Sequence, residues 1–321
     1  MAQLIAEIFH AALDNEWLRR GNDQAAFDVD SGRMVMTTDG YVISPLYFPG
    51  GDIGSLAVHG TINDIAMAGA RPRFLSASFI LEEGFALADL TRIVRSMGEA
   101  ACAAGVPVVT GDTKVVERGK ADGVFICTTG IGTVPEGIEV SVERVRPGDR
   151  IIVSGSLGDH GVAVMSRRHS LRFETPIESD SAPLHGLVAV MVEAGGADLH
   201  AMRDPTRGGL AATLNEIARQ AGVGMRLREE AIPVKPAVAA ACELLGLDPL
   251  HVANEGKLAA FVAPGSAAAV LAAMQAHPLG RDAAIVGEAV ADPNRFVQMT
   301  TAFGGERIVD WLTGEQLPRI C

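Results

Sequence analysis

Cysteine is scarce in this chain: four residues in 321, with no CxxC pair and no His/Cys cluster at metal-ligand spacing. That excludes a disulfide framework and a structural zinc site as organising features. Long apolar runs are missing as well. Stretches such as "GSAAAVLAAMQA" are too short to span a bilayer. The opening "MAQLIAEIFHAALDNEWLRR" carries Glu7, Asp14 and Glu16 among its apolar residues, so it reads as an amphipathic helix and not as a secretory leader. A cytoplasmic, non-membrane setting is the expectation. Positive charge is in deficit, with 27 Lys and Arg against 39 Asp and Glu for a formal net charge of -12. Such a surface argues against nucleic acid as a partner. None of the polar stretches described below is a P-loop or a dinucleotide-binding fingerprint. A phosphate ligand would therefore be held by metal-bound carboxylates, cations and scattered backbone amides.

What is present is a chain of 48% apolar and 21% charged residues, the composition of a globular protein and long enough that one core would ordinarily split into two. After the first helix the pattern predicts two strands around a turn at Asp30-Ser31-Gly32, then a helix over about 54–69. The strand "RFLSASFILEE", a helix over about 87–105, and the strands "VPVVTGDTKVV" and "GVFICTTGIGTV" follow. "VRPGDRIIVSG" marks a boundary, because Pro147 and Gly148 turn the chain and Ile151 to Val153 open a new strand. Beyond it, helices near 158–170, 183–195, 207–221, 236–246 and 265–276 mix with strands near 223–228, 258–263, 283–289 and 296–300. The expected class is α/β, with one domain over 1–145, a second over 146–310 and a flexible tail over 311–321.

Four polar stretches interrupt this apolar pattern. In "TTDGYV", Asp39 lands at a strand end with Gly40 leaving the backbone open, which suits a ligand or an ordinary Asp-Gly turn. In "GTINDIAMAGARP", the helical spacing of Ile62, Ile65, Ala66 and Gly69 leaves Asn63 and Asp64 as a polar interruption, either a solvated face or a site for a hydrated divalent ion. In "VVTGDTKVV", a Val-rich strand is broken by Gly-Asp-Thr-Lys. Asp112 and Lys114 lie two apart and project to the same side of an extended strand. A metal-binding carboxylate beside an ammonium for phosphate oxygens is one reading, and a surface ion pair the other. In "RDPTRGGL", Pro205 suits a first helical position and two glycines allow close approach, so free amides near Arg207 could hold an anion or simply cap a helix.

Cys321, the last residue given, stands apart from Cys102, Cys127 and Cys242, which sit in apolar settings where cysteine behaves as a small hydrophobe. It does not satisfy a prenylation motif, which needs Cys four residues from the end. An exposed thiol invites oxidation, so its position asks for a chemical reason.

Taken together and in order, "LIAEIF", "PLYFPGGDIG", "GTINDIAMAGA", "FILEEG", "VTGDTKVV", "RDPTRGGL", "NEGKLAAFV" and the terminal "PRIC" resemble the HypE-like hydrogenase maturation factors. These are carbamoyl dehydratases of the PurM-like, AIR synthase-related ATP-binding superfamily. "GDTK" and "NDIAMAGA" point only to the superfamily, whereas "PRIC" picks out the HypE branch. The resemblance implies a two-domain PurM-like fold, an N-terminal mixed sheet with helices followed by a C-terminal α/β sandwich. It implies ATP and Mg²⁺, and a terminal cysteine that accepts a carbamoyl group from the carbamoyltransferase HypF. ATP-driven loss of water then gives a thiocyanate, whose cyanide goes to iron held by HypC–HypD. Carried onto this sequence, Cys321 is the carrier, Glu255 of "NEGKL" the base and Lys114 a neutraliser of phosphate charge. Asp39, Asp64 and Asp112 are expected at the metal, and Asn63, Thr113 and Arg207 at the nucleotide or the tail. A homodimer is expected. Arg319 is the expected cation to offset the α-carboxylate beside the thiol. Family members usually carry a His- and Gly-rich loop before the first helix, and this sequence begins inside that helix. Two competing readings are another ATP enzyme of the superfamily, of the selenophosphate synthetase or thiamine-phosphate kinase type, and a non-catalytic nucleotide-responsive scaffold.

Overall fold

The structure, a computed structural model, describes residues 5–19, 32–171, 176–311 and 319–321. The predicted turn at Asp30-Ser31, the strand before it and tail residues 312–318 lie outside these. Near the start, helical turns at Ile5–His10 and Ala11–Leu13 are followed by a separate turn at Glu16–Arg19. Asn15 breaks the predicted single helix, because its side-chain oxygen accepts from the amides of Trp17 and Leu18 at 3.1 Å each and starts a new turn.

Two sheets follow. The first contains β1 (Arg33–Tyr41), β4 (Arg71–Glu82), β5 (Val108–Val116) and β6 (Val124–Val134), in the order β1-β6-β4-β5. β6 runs antiparallel to both neighbours and β5 parallel to β4, so the sheet is mixed. Between β1 and β4 lie a two-residue ribbon, β2 (Tyr47–Phe48) with β3 (Gly51–Asp52), and helix α1 (Ile53–Met67). Helix α2 (Leu87–Ala104) connects β4 to β5. The second sheet holds β7 (Arg150–Val153), β8 (Leu199–Arg203), β9 (Gly224–Arg228), β10 (Ala259–Val262), β11 (Ala284–Val290), β12 (Val297–Thr300) and β13 (Glu306–Ile308). Its order is β13-β12-β9-β11-β7-β10-β8. The helices of this half are α3 (Asp159–Arg168), α4 (His185–Gly195), α5 (Gly209–Ala221), α6 (Pro236–Leu245) and α7 (Ala267–Ala276). Mixed sheets covered by helices are the expected α/β class. β8 and β13 were not read from the sequence. Among the described residues no helix is long and apolar enough to cross a membrane.

α1 is the element on which the two halves meet. It is started by Asp52, whose carboxylate accepts from the amides of Gly54 at 2.8 Å and Ser55 at 3.1 Å, while Ser55 Oγ accepts from the amide of Asp52. This reciprocal cap satisfies the first orphan amides. Ile53, Leu56, Ala57, Val58 and Ile62 are wholly buried. The helix packs on β1, β6 and α2 and, on its far side, on α4 of the second half. A helix apolar all round is one buried between layers.

The α1–α2 crossing is close enough that only glycine fits at position 54, where a Cβ would collide with the carbonyl of Ile93. Gly54→Ala is expected to cost about 2–3 kcal/mol in urea unfolding. Gly265→Ala, whose Cβ meets open space, should change stability by less than about 0.5 kcal/mol.

Candidate active site

In β1 the side chains alternate. Thr37, Asp39 and Tyr41 turn toward α1, and Met34, Met36 and Thr38 turn away. Thr37 Oγ1 donates to Asp64 Oδ2 at 2.8 Å, tying the strand to the helix and bringing Asp64 toward Asp39. Asp204, just after β8, and Glu255, in the loop before β10, complete a group of carboxyls whose charges act on one another. A cleft of about 790 Å³ opens here, lined among others by Thr37, Asp64, Arg203, Asp204, Thr206 and Arg207.

The electrostatics are those of crowding. Burial pushes Glu255 well above the usual carboxylate range, and Asp204, Asp180, Asp39 and Asp64 act in the same direction. Burial also pushes Asp204 up to about 7, with Asp64 adding to it. Asp64 is raised by burial and by Asp39, against the hydroxyl of Thr37. Glu255 is 3% exposed and its Oε1 has no hydrogen-bond partner. Three carboxyls that hold protons this firmly are short of positive charge. The donors are hard oxygens of the kind Mg²⁺ takes together with phosphate and water, so Asp39 and Asp64 fit a hydrated divalent ion. Among the described residues no three His, Cys, Asp or Glu side chains form a complete metal cage.

Asp112 is not with them. Counting across the register, Asp39 pairs with Thr128, Thr128 with Ala77 and Ala77 with Gly111, all on or level with the buried face. Asp112 aligns with Ser78 and Lys114 with Ile80, the outward residues of β4. Three strand spacings of roughly 4.8 Å put Asp112 about 14 Å from Asp39, on the opposite face. The expected trio of Asp39, Asp64 and Asp112 is therefore not brought together within one chain. Asp112 and Lys114 do project together, as an exposed ion pair at 2.7 Å. This pair holds Asp112 below the usual carboxylate value. Thr113 donates its amide to Asp112 Oδ1 at 2.8 Å.

Other expectations are corrected by the structure. Asn63 is 1% exposed and engages protein rather than the cleft. Its Nδ2 donates to the carbonyls of Ala182 and Glu255 at 3.1 Å each, and its Oδ1 accepts from the amide of Leu184 at 2.7 Å. Pro205 does not open a helix. Gly208 and Gly209 take φ of 74° and 60°, a left-handed pair that delays α5 to Gly209. Arg207 does line the cleft. Lys257 pairs with Asp180 at 3.2 Å and not with Glu255. Arg319 pairs with Asp122 at 2.5 Å. Residues 319–321 are docked rather than loose, since Ile320 is 2% exposed and the amide of Val42 donates to a terminal oxygen of Cys321 at 3.1 Å. Asp180 and Asp204 were missed. The signal for Asp204 was available in its place at a strand end before Pro205, inside a stretch already marked as polar.

Models of the AIR synthase related protein match this chain twice, the N-terminal domain over residues 21–134 and the C-terminal domain over 146–300. A carbamoyl dehydratase HypE from Bradyrhizobium diazoefficiens is 73% identical over 321 residues, covering 100% of this chain and 93% of that protein. The chain belongs to the HypE family of carbamoyl dehydratases. It is thus a dehydratase of hydrogenase maturation, with the PurM-like fold. A hydrogenase maturation protein HypE solved in complex with ATP superposes with a TM-score of 0.95 at 49% identity, covering 100% of this chain and 96% of that one. A chain of a HypE–HypF complex superposes with a TM-score of 0.85 at 50% identity, covering 96% and 99%.

Linkage gives the crowding a measurable sign. A carboxyl that holds its proton more tightly folded than unfolded stabilises the fold at low pH and withdraws that stabilisation as pH rises through its folded value. For Asp204, with a folded value of about 7, the loss falls between about pH 4 and 8. The stability advantage of Asp204→Asn over wild type should widen by about 2 kcal/mol, several degrees of melting temperature, between pH 5.5 and pH 8. A gap that does not widen between these pH values in calorimetry would contradict the crowding.

Proposed function

We propose that this chain uses ATP to dehydrate a carbamoyl group carried as a thiocarbamate on Cys321, leaving a thiocyanate that supplies the cyanide ligands of nickel–iron hydrogenase. The observation that supports this most directly is the place of the terminal cysteine. Cys321 is docked opposite Val42, three residues along an extended chain from Asp39 and so roughly 10 Å from it. The relative solved with ATP supports ATP as the nucleotide, and the HypE–HypF complex supports HypF as the carbamoyl donor. In this reading HypC–HypD takes the cyanide, the setting is the cytoplasm, and the two sheets are two domains, over about 1–145 and 146–310, with the site at their junction.

The amide oxygen is a poor leaving group, and phosphorylation changes that. The thiocarbamate oxygen attacks the γ-phosphorus as ADP departs. The carbon–oxygen bond then breaks with loss of inorganic phosphate, while the nitrogen gives up two protons and becomes a nitrile. In-line positioning and charge neutralisation do most of the work in such a transfer. Glu255 accepts a nitrogen proton, because burial among carboxylates makes it an unusually strong base once ionised. Positive charge arriving with the nucleotide favours that ionisation. Asp39 and Asp64 would hold Mg²⁺, which supplies charge neutralisation at the phosphates. Arg207, on the rim of the cleft, is placed for the nucleotide or the tail.

Lys114, Asp112 and Thr113 enter by a different route. The outer face of the first sheet exposes Met34 at 41%, Met36 at 72% and Ile80 at 37%, an apolar surface of the kind that pairs with another. A second copy on that face would bring Asp112 and Lys114 to a subunit boundary, where a nucleotide held by the other chain can meet them. A homodimer is therefore part of the proposal, and a light-scattering mass of one chain at micromolar concentration would count against it.

The test of the chemistry is intact-protein mass after incubation with HypF, carbamoyl phosphate and ATP. One carbamoyl group should appear on Cys321 and then lose one water, with nothing gained by Cys321→Ala. Glu255→Gln should be carbamoylated normally but lose water at least about 100-fold more slowly. Product formed without Cys321 would sink the carrier reading in favour of another ATP enzyme of the superfamily.

A further inference from the structure

All three final carbonyl groups of the chain are bonded in the docked pose. The carbonyl of Arg319 accepts from the amide of Ser44 at 3.2 Å and from the guanidinium of Arg168 at 2.7 Å. The carbonyl of Ile320 meets His160 Nε2 at 2.8 Å, and a terminal oxygen of Cys321 accepts from the amide of Val42. Residue 44 facing 319 and residue 42 facing 321 is an antiparallel register. The tail is thus an added strand on the segment that leaves β1, and its end points toward Asp39. Main-chain bonds of this kind fix position without depending on side chains, and a pocket for one side chain, here Ile320, sets the phase.

His160 is the member of this set that no backbone rule supplies. It is wholly buried, at 0% exposure, with Phe48 edge-on to its ring at 5.3 Å. Its proton is placed by its partners. The carbonyl of Ile320 can only accept, so Nε2 must hold the proton and donate to it. Nδ1 then accepts from the hydroxyl of Ser179 at 2.8 Å, which itself accepts from the amide of Ser181 at 3.1 Å. Burial lowers His160 from the ordinary imidazole value, although Asp180 and the Ile320 carbonyl act the other way. Arg168 closes the other side. Its Nε and its terminal nitrogen both donate to the carbonyl of Ser44, at 2.8 and 2.6 Å, so one guanidinium reads both strands of the added pair.

We propose that His160 and Arg168 form a clamp on the C-terminal strand, and that His160 is a positioning residue which sets the register in which Cys321 is presented to the site. This rests on the reading of Cys321 as the carrier. The clamp grips main chain on either side of Ile320 and leaves the cysteine side chain to the chemistry. A tail held in this way keeps the same grip whether the sulfur is bare, carbamoylated or cyanated.

The test compares His160→Gln with His160→Asn in the full chain. A glutamine amide nitrogen can stand where Nε2 stands and donate to Ile320, whereas an asparagine reaches only the Nδ1 position and leaves that carbonyl unbonded. Both lose the ring contact with Phe48 and Asn is the smaller by one methylene, so His160→Leu, which fills the space with no donor, is the control. It should behave like His160→Asn if the hydrogen bond positions the tail, and like His160→Gln if only packing does, which would overturn the proposal. Hydrogen exchange of the Val42 and Ser44 amides should be at least 10-fold faster in His160→Asn and near wild type in His160→Gln. Single-turnover water loss should follow the same order, with the ATP concentration for half-maximal rate unchanged. Arg168→Met, at a less buried position, should also speed exchange at Ser44 and serves if His160→Asn does not fold. Equal behaviour of the Gln and Asn variants would overturn the proposal. So would Val42 and Ser44 amides that exchange in wild type as fast as in a chain lacking residues 319–321. Protected amides with an unchanged rate of water loss in His160→Asn would overturn the positioning role. The exchange measurement needs neither HypF nor ATP, so a failure of the carrier reading, seen as no mass gain on Cys321, is distinguishable from a failure of the clamp.

Discussion

One buried carboxamide fixes the geometry on which the site depends. Asn63 is on α1, packed against the first sheet, and all three of its bonds cross to the other half: to Ala182, to Leu184 and to Glu255. Each partner is a main-chain group, so the contact locates backbone and leaves the Glu255 side chain to face the carboxyls. A buried amide that lost these partners would leave polar atoms unpaired at about 1–3 kcal/mol each. That cost keeps the two halves in one register. Gly256 belongs to the same constraint, since a Cβ there would collide with the carbonyl of Asp180. The loop carrying Glu255 can approach the loop carrying Asp180 only because the intervening residue has no side chain. Asp180 then receives the amide of Glu255 at 3.2 Å and the ammonium of Lys257 at 3.2 Å.

Held in this way, Asp64, Asp204 and Glu255 work against the fold. Their raised proton affinities measure the repulsion and lost hydration that each would suffer if ionised. An isolated core would replace such residues with apolar ones. In the proposed reading, a ligand that brings positive charge would turn this mutual repulsion into shared attraction. The same crowding suits Glu255 to its proposed task, because a carboxylate that is hard to ionise is a strong base when it is ionised. Stability and reactivity are set here by one cause, the scarcity of positive charge among these carboxyls.

Much of the architecture was legible from the chain. The helices and most strands fell within a few residues of their predicted places, because β4, β6, α2 and α5 carry unmistakable periodicity or Val- and Ile-rich runs. β8, "LHAMR", was not found because its five residues mix His and Arg with apolar ones and have no alternation to read. The polar stretches containing Asp39, Asp64 and Asp204 were recognisable as interruptions. That Asp112 and Lys114 share a face followed from their spacing of two. That this face is the one away from Asp39 did not follow, because it depends on counting register across β6 and β4, and no local signal encodes strand order. Asn63 was misjudged for a related reason. A carboxamide next to a carboxylate looks like a ligand pair, while its three main-chain partners lie more than a hundred residues away in sequence.

The docked tail was the least legible feature, and the reason is physical. A strand recognised through its carbonyls needs no particular residues, so "PRIC" shows the thiol but not the grip. The strength of that grip can be bounded. Four hydrogen bonds to main-chain oxygens at about 1 kcal/mol each, and one buried isoleucine at about 2 kcal/mol, give a gross gain of roughly 6 kcal/mol. Ordering three residues costs about 1–2 kcal/mol apiece. The remainder is on the order of 2 kcal/mol, roughly a thirtyfold ratio of docked to free, enough to keep the tail docked most of the time and small enough for the free form to stay populated. The proposed carrier, which would visit a donor, an ATP site and an acceptor, would need that balance. A tail bound as tightly as a core strand would never be carbamoylated, and one with no grip would present its thiol at random.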